Sequence, residues 1–210
     1  MSSYSLKITN NSGASQNIAI YQSHPNADAG LPLVWVSKAI HNTNHNTFEW
    51  DINWQLNWGT SAQKLIPGVM WTSGGSPVDV NPVSAGGINQ IGITYFNDDF
   101  STNSKIHNNA VPQGTVKAVT DTSFTVAESE KMSIAIYMDN KPALAMQGKP
   151  NGSYLYHTHP TYYLCVTDVK EGTAVSSEFV NSPTPVVYQD GQTALSYELT
   201  ETLTFERTPE

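Results

Sequence analysis

Cysteine is nearly absent: Cys165 is the only one among 210 residues. No disulfide can form within the chain, so the fold relies on no covalent framework. Charge is also scarce, at 13% of residues against about a quarter in ordinary globular proteins. Ten Lys and Arg against eighteen Asp and Glu leave a net charge of −8, with no cluster of basic residues anywhere along the chain. Nucleic-acid binding needs a basic footprint that releases phosphate counterions, so that class is disfavoured. An anionic membrane surface would repel the chain in the same way. No apolar run approaches the roughly 18 residues of a membrane-spanning helix. Residues 1–7 offer neither the basic start nor the apolar stretch of a secretory signal, so the expected address is cytoplasmic. A secreted chain stripped of its leader would read the same way.

What the chain has instead is uncharged polarity: 18 Asn, 21 Thr and 21 Ser, 60 of 210 residues. Thr suits strands, whereas Asn and Ser suit turns. Hydrophobic residues at 39% and aromatics at 10% suffice for a buried core and exclude a solvated disordered chain.

Positions 48–58 alternate strictly, with Phe48, Trp50, Ile52, Trp54, Leu56 and Trp58 against Glu49, Asp51, Asn53, Gln55 and Asn57. A period of two predicts one long strand whose buried face holds all three tryptophans. Leu195, Tyr197, Leu199, Leu203 and Phe205 form a second apolar face, interrupted by Glu201. Two readings stand there: a bulge that shifts the register, or a carboxylate at an open edge or in a polar site. Shorter strands are predicted at 4–9, 17–22, 33–39, 89–95, 133–138, 143–146, 153–157 and 161–167. Residues 132–146 read as a hairpin, with Ile134, Ile136 and Met138 facing Leu144 and Met146 across a polar turn. Pro25-Asn26, Gly86-Gly87, Asp139-Asn140 and similar pairs punctuate the strands. The Ser, Gly and Pro-rich stretch 71–87 reads as a long loop inside one domain. The expectation is an all-β protein, an antiparallel β-sandwich with long polar loops, forming a single domain over residues 1–210.

Tyr4-Ser5-Leu6-Lys7-Ile8-Thr9-Asn10-Asn11-Ser12, Ile20-Tyr21-Gln22, Pro32-Leu33-Val34-Trp35, Phe48-Glu49-Trp50 and Leu65-Ile66-Pro67-Gly68-Val69 together resemble the rhizosphere-induced (RhiA-like) protein family of bacteria. The match extends weakly to His159-Pro160 and Tyr162-Tyr163. The resemblance implies a soluble bacterial protein, expressed in the rhizosphere under density-dependent control, whose biochemical activity is unassigned. The matching residues are those of strands and turns, so the resemblance bears on fold and setting rather than on chemistry. The Asn-rich stretch 41–46 and the pair His157, His159 are less typical of that family.

Few constellations suggest chemistry. His157-Thr158-His159 sets two imidazoles at i and i+2, which an extended strand turns to one face, as two ligands of a divalent transition metal would require. An edge strand ending at Pro160, its histidines partly solvated, has the same sequence. A third ligand from Cys165, His41, His45, His107, Glu128 or Glu201 would have to be supplied by the fold. His41 and His45 are four apart, but Asn42-Thr43-Asn44 disfavours a helix and reads as loop. No nucleophile elbow or phosphate loop occurs, and Cys165 between Leu164 and Val166 reads as packing. Asp98-Asp99 reads as a solvated turn, lacking the spacing of calcium ligands. Trp50, Trp54 and Trp58 are core before they are a sugar-stacking platform, whereas Trp35 and Trp71, near strand ends, are freer to line a pocket. Tyr154, Tyr156 and Tyr162, with Tyr163, surround the histidine pair and make the best-placed ligand-binding group.

The leading expectation is therefore a non-enzymatic binding or interaction protein with a small molecule or protein partner. A metal-binding protein or metal-dependent enzyme centred on His157 and His159 is the alternative. A self-assembling or membrane-active β-sandwich is the second.

Overall fold

Short strands bounded by Asn, Asp and Gly turns build the molecule. In chain order they are β1 (Ser3–Asn10), β2 (Gln16–Ser23), β3 (Gly30–Pro32), β4 (Val34–Ile40), β5 (His45–Asp51), β6 (Trp54–Ser61), β7 (Trp71–Ser73), β8 (Val78–Val80) and β9 (Gln90–Phe96). They continue with β10 (Asp99–Asn108), β11 (Thr115–Thr120), β12 (Met132–Met138), β13 (Lys141–Gln147), β14 (Ser153–His157), β15 (Thr161–Val166), β16 (Asn181–Val186), β17 (Ala194–Leu199) and β18 (Phe205–Arg207). The computed structural model describes residues 3–25, 30–83, 87–109 and 111–209. Among these residues no helix is long and apolar enough to cross a membrane. The turns expected at Pro25-Asn26 and Gly86-Gly87 lie partly outside the described residues.

The strands pair into four sheets, ordered β18-β17-β1-β5, β10-β9-β11-β14, β3-β13-β12-β6-β7 with β8 also on β6, and β16-β15-β2-β4. Pairing is antiparallel except between β1 and β17 and between β9 and β11. All four sheets contribute to one continuous apolar cluster, through residues such as Leu6, Ile93, Ile134 and Leu164. The result is the all-β, sandwich-like architecture that the alternation predicts. The hairpin at 132–146 forms as expected, with Ile134 opposite Met146 and Ile136 opposite Leu144. Asp139 and Asn140 at its turn both have positive φ, 50° and 61°, which matches the right-handed twist of the flanking strands.

Of the strands longer than three residues, three carry no clear sequence signal. β10 and β16 are outer strands of their sheets, where polar residues and Pro183 and Pro185 are tolerated because one side of the backbone is unpaired. β11 is internal, but only Val116 and Ala118 mark its buried face.

Three expectations require correction. Residues 48–58 are two strands rather than one: β5 belongs to the sheet of β1, and β6 to the six-stranded sheet. The chain turns the corner at Ile52 and Asn53, where Asn53 N–H donates to Asp51 O at 3.1 Å and Ile52 is 38% exposed. All three tryptophans are nevertheless buried, because the parity resumes after the corner. At 195–206 neither reading of Glu201 holds. The segment is a hairpin of β17 and β18, closed by Leu203 N–H to Thr200 O at 2.9 Å and Thr200 N–H to Thr204 O at 3.0 Å, and Glu201 lies exposed in its turn. Trp35 and Trp71 are largely covered, yet both border a surface cavity, as their places near strand ends suggest. Residues 71–87 also contain two short strands, β7 and β8, both paired with β6.

The six-stranded sheet is covered on both faces. Leu56, Ile134 and Ile136 face the main core. Ala135, Tyr137 and Ala145 face a second cluster with Leu33, Leu65, Trp71 and Ala174. The covering segments are tied down by isolated bridges, Leu33 to Ala174 and Met70 to Thr173. Gln55 and Asn57, on the polar side of the alternation, are thereby buried.

Candidate functional site

β14 alternates as a strand must, and this decides the fate of its tyrosines. Tyr154 and Tyr156 turn into the core while Leu155 is 40% exposed. The Tyr156 hydroxyl donates to Ile134 O at 2.6 Å, and the Tyr154 hydroxyl accepts from Lys149 N–H at 2.6 Å. Burial raises the pKa of both phenols. Neither presents a surface to a ligand, a correction to the grouping of Tyr154, Tyr156 and Tyr162. Tyr163 stacks on Tyr21 at 5.1 Å, apart from that group.

Tyr162 is placed differently. It lies at 5.3 Å from Trp50, 6.1 Å from Trp35 and 6.4 Å from Tyr188. Tyr4 completes the cluster, 4.9 Å from Tyr188 in an edge arrangement and 6.2 Å from Trp50. The Tyr162 hydroxyl donates inward to Met138 Sδ at 3.5 Å, and desolvation pushes its pKa up to about 12. The Tyr188 hydroxyl donates to Ser5 O at 2.9 Å. With their polar tips so occupied, the rings offer apolar faces. They border an open cleft of about 370 Å³ lined by Tyr4, Trp54, His159, Tyr162, Val187 and Tyr188 among others. Beyond the end of β14, Pro160 carries the chain along this cleft into β15, and His159 and Tyr162 both line it.

His157 is the last residue of β14, and His159 lies beyond it beside Gly114. The regular strand that would turn both imidazoles to one face therefore stops before His159. Among the described residues no group of three His, Cys, Asp or Glu side chains could hold a metal ion. Cys165 is fully buried, its pKa pushed up to about 12 by desolvation, and its thiol faces Ala19 O.

One histidine without a sequence signal lies just behind the cleft. His24 is buried against the edge of Trp54, 6.0 Å between centroids. Its Nδ1–H donates to His157 O at 2.8 Å. Its Nε2 lies 3.2 Å from Gln22 Oε1, and exchange of the amide's O and N gives an unprotonated nitrogen the N–H donor it needs. Desolvation lowers the His24 pKa to about 4, against the opposing effect of the carbonyl bond. The imidazole is therefore a neutral packing and hydrogen-bonding group near pH 7. The chain also brings Ser15 Oγ to 2.8 Å from His41 Nδ1, on an exposed turn surface away from this cleft.

The fold and this wall define an all-β protein of packed sheets with an aromatic cleft open to solvent. The RhiA family model matches residues 1–207, and the chain belongs to the RhiA family. Searches of curated proteins and of solved structures found no match.

Proposed function

We propose that the protein is a non-catalytic binding protein that takes a small, mainly apolar molecule with one hydrogen-bonding end into the cleft beside His159 and Tyr162. The observation that carries this reading is the composition of the cleft wall. Aromatic rings with their polar tips bonded elsewhere stand beside Val186 and Val187, while Thr158, His159 and Thr161 supply polar groups. Small-molecule sites combine mostly apolar walls with a few placed polar groups in this manner. The rings are held by the core on their far sides, so the cleft stays open without reorganisation. A bacterial cytoplasmic setting belongs to the same reading, supported by family membership and by a fold with no disulfide.

The neutral dye N-phenyl-1-naphthylamine provides the test. Its fluorescence is expected to rise saturably at one dye per chain. Val187→Glu, which places a charge on an exposed rim residue, is expected to weaken binding roughly tenfold. Absence of saturable binding, or equal binding by the variant, would refute the assignment.

A further inference from the structure

The outer face of the six-stranded sheet holds a set of polar side chains that the protein leaves half paired. Asn57 Nδ2 donates to Ser73 Oγ at 2.8 Å and to Gly75 O at 2.7 Å. Gln55 Nε2 donates to Asp79 Oδ1 at 2.9 Å and to Asn140 Oδ1 at 3.0 Å. The carbonyl halves of both amides accept nothing. The indole N–H of Trp71 is also unpartnered, as is the hydroxyl of Tyr137, which lies beside Ser73 and Asn57 without bonding geometry to either. All four residues are more than nine-tenths buried. Native folds rarely leave such groups unpaired, because each loses its hydration and recovers nothing.

Trp71 and Tyr137, 5.7 Å apart and edge to face, line an open cavity of about 480 Å³ together with Ser73, Asn140, Lys141 and Glu171. Lys141 and Glu171 neutralise each other at 3.0 Å, so the cavity offers no net charge to an ion. Its aromatic edges supply apolar contact, while the Trp71 indole N–H and the Tyr137 hydroxyl supply uncharged polar groups.

We propose that this cavity is a second binding site, for a neutral polyhydroxylated ligand such as a sugar ring or polyol. Hydroxyls both donate and accept, so one such molecule can serve the indole N–H of Trp71 and the Tyr137 phenol, both of which line the cavity. Its C–H faces suit Trp71 and Tyr137. A purely apolar ligand would leave the orphan groups unpaired, and an anion would meet a neutralised lysine on a chain of net charge −8. The orphan atoms are closed to solvent here. An incoming hydroxyl reaches them as Ser73 and the exposed Lys141–Glu171 pair give way, and surface pairs of this kind are held weakly.

Saturation-transfer NMR with glucose, galactose, mannose, N-acetylglucosamine and myo-inositol, and with affinity titrations of any that respond, tests this site. Inorganic phosphate, followed by calorimetry, serves as the charged control. Tyr137→Phe removes one unpartnered hydroxyl and keeps the ring, so its melting temperature is expected to stay level or rise. Its affinity for the bound sugar or polyol is expected to fall about tenfold, the loss of one buried hydrogen bond. The proposal is overturned if no panel member binds, in which case water alone serves these groups. It is also overturned if Tyr137→Phe binds equally well, or if phosphate binds and the polyols do not. Dye binding in the cleft at Tyr162 is expected to be unchanged in Tyr137→Phe, so the two assignments stand or fall separately.

Discussion

Trp58 occupies the space where Gly74 would otherwise carry a side chain: a Cβ built there falls 2.0 Å from Cζ3 of the indole. A reciprocal contact lies next to it, since a Cβ on Gly59 falls 2.2 Å from Cζ2 of Trp71 and 2.4 Å from Thr72 O. The adjoining β6 and β7 thus seat two tryptophans on two glycines. Trp58 then reaches Phe100 of the second sheet at 5.7 Å, which ties the six-stranded sheet to its neighbour.

Gly74→Ala is expected to displace Trp58 from the core and destabilise the protein by about 1–3 kcal/mol, the usual cost of overpacking. Gly75→Ala is the control, because its nearest neighbour, Trp58 Nε1, is 4.0 Å away, and it should remain within about 0.5 kcal/mol of wild type. Urea melts of the two variants decide this. Equal stability would mean that the tryptophan is not seated as described.

His24 links stability to pH. Its folded pKa of about 4 lies below its ordinary 6.5, so the unfolded chain binds the extra proton first as pH falls. The contribution is complete above pH 6.5, is lost progressively between pH 6.5 and 4, and changes no further below that. Its size is roughly 3 kcal/mol. His24→Gln keeps a hydrogen-bonding side chain without titration, so the gap between wild-type and variant stabilities should shrink across this window. A constant gap from pH 7 to 4 would contradict the buried neutral imidazole.

Cys165 should ignore thiol reagents in the folded protein at pH 8 and react fully in denaturant. It is inaccessible and held as the neutral thiol by burial, and only the thiolate attacks. Stoichiometric labelling within seconds under native conditions would show that this strand opens readily.

The histidine pair allows a direct measurement. With His159 beyond the strand end and no cluster of three ligands among the described residues, untagged protein is expected to carry well under one zinc per chain. The His157→Ala, His159→Ala double variant should carry the same amount. One zinc per wild-type chain, absent from the variant, would restore the metal assignment.

The alternation at 48–58 places Phe48, Trp50, Trp54, Leu56 and Trp58 in the core, because side-chain parity is a local property of extended backbone. The corner at Ile52 has no comparable local mark. It arises because β5 and β6 find partners in different sheets, β1 and β12. The eight short strands and the hairpin at Asp139-Asn140 were readable for the same local reasons. The outer strands β10 and β16 were not, since a half-unpaired backbone tolerates almost any polar sequence.

The candidate sites were less legible. Tyr162 and His159 both line one cleft only because Pro160 and the pairing of β15 with β2 bring them there. Tyr154 and Tyr156, equally aromatic and nearer in sequence to the histidines, are withdrawn by strand parity. His24 approaches His157 across 133 residues, and no spacing rule spans that distance.

By itself, the sequence determined an extended, two-residue-period chain with its tryptophans inside, no intrachain disulfide and no run of basic residues. These follow from composition and from neighbours along the backbone. Tertiary structure alone decided that polar Gln55 and Asn57 are buried, because the segments that close over the sheet's outer face come from remote parts of the chain. Burial is a property of what covers a residue, and the pattern around that residue does not record the cover.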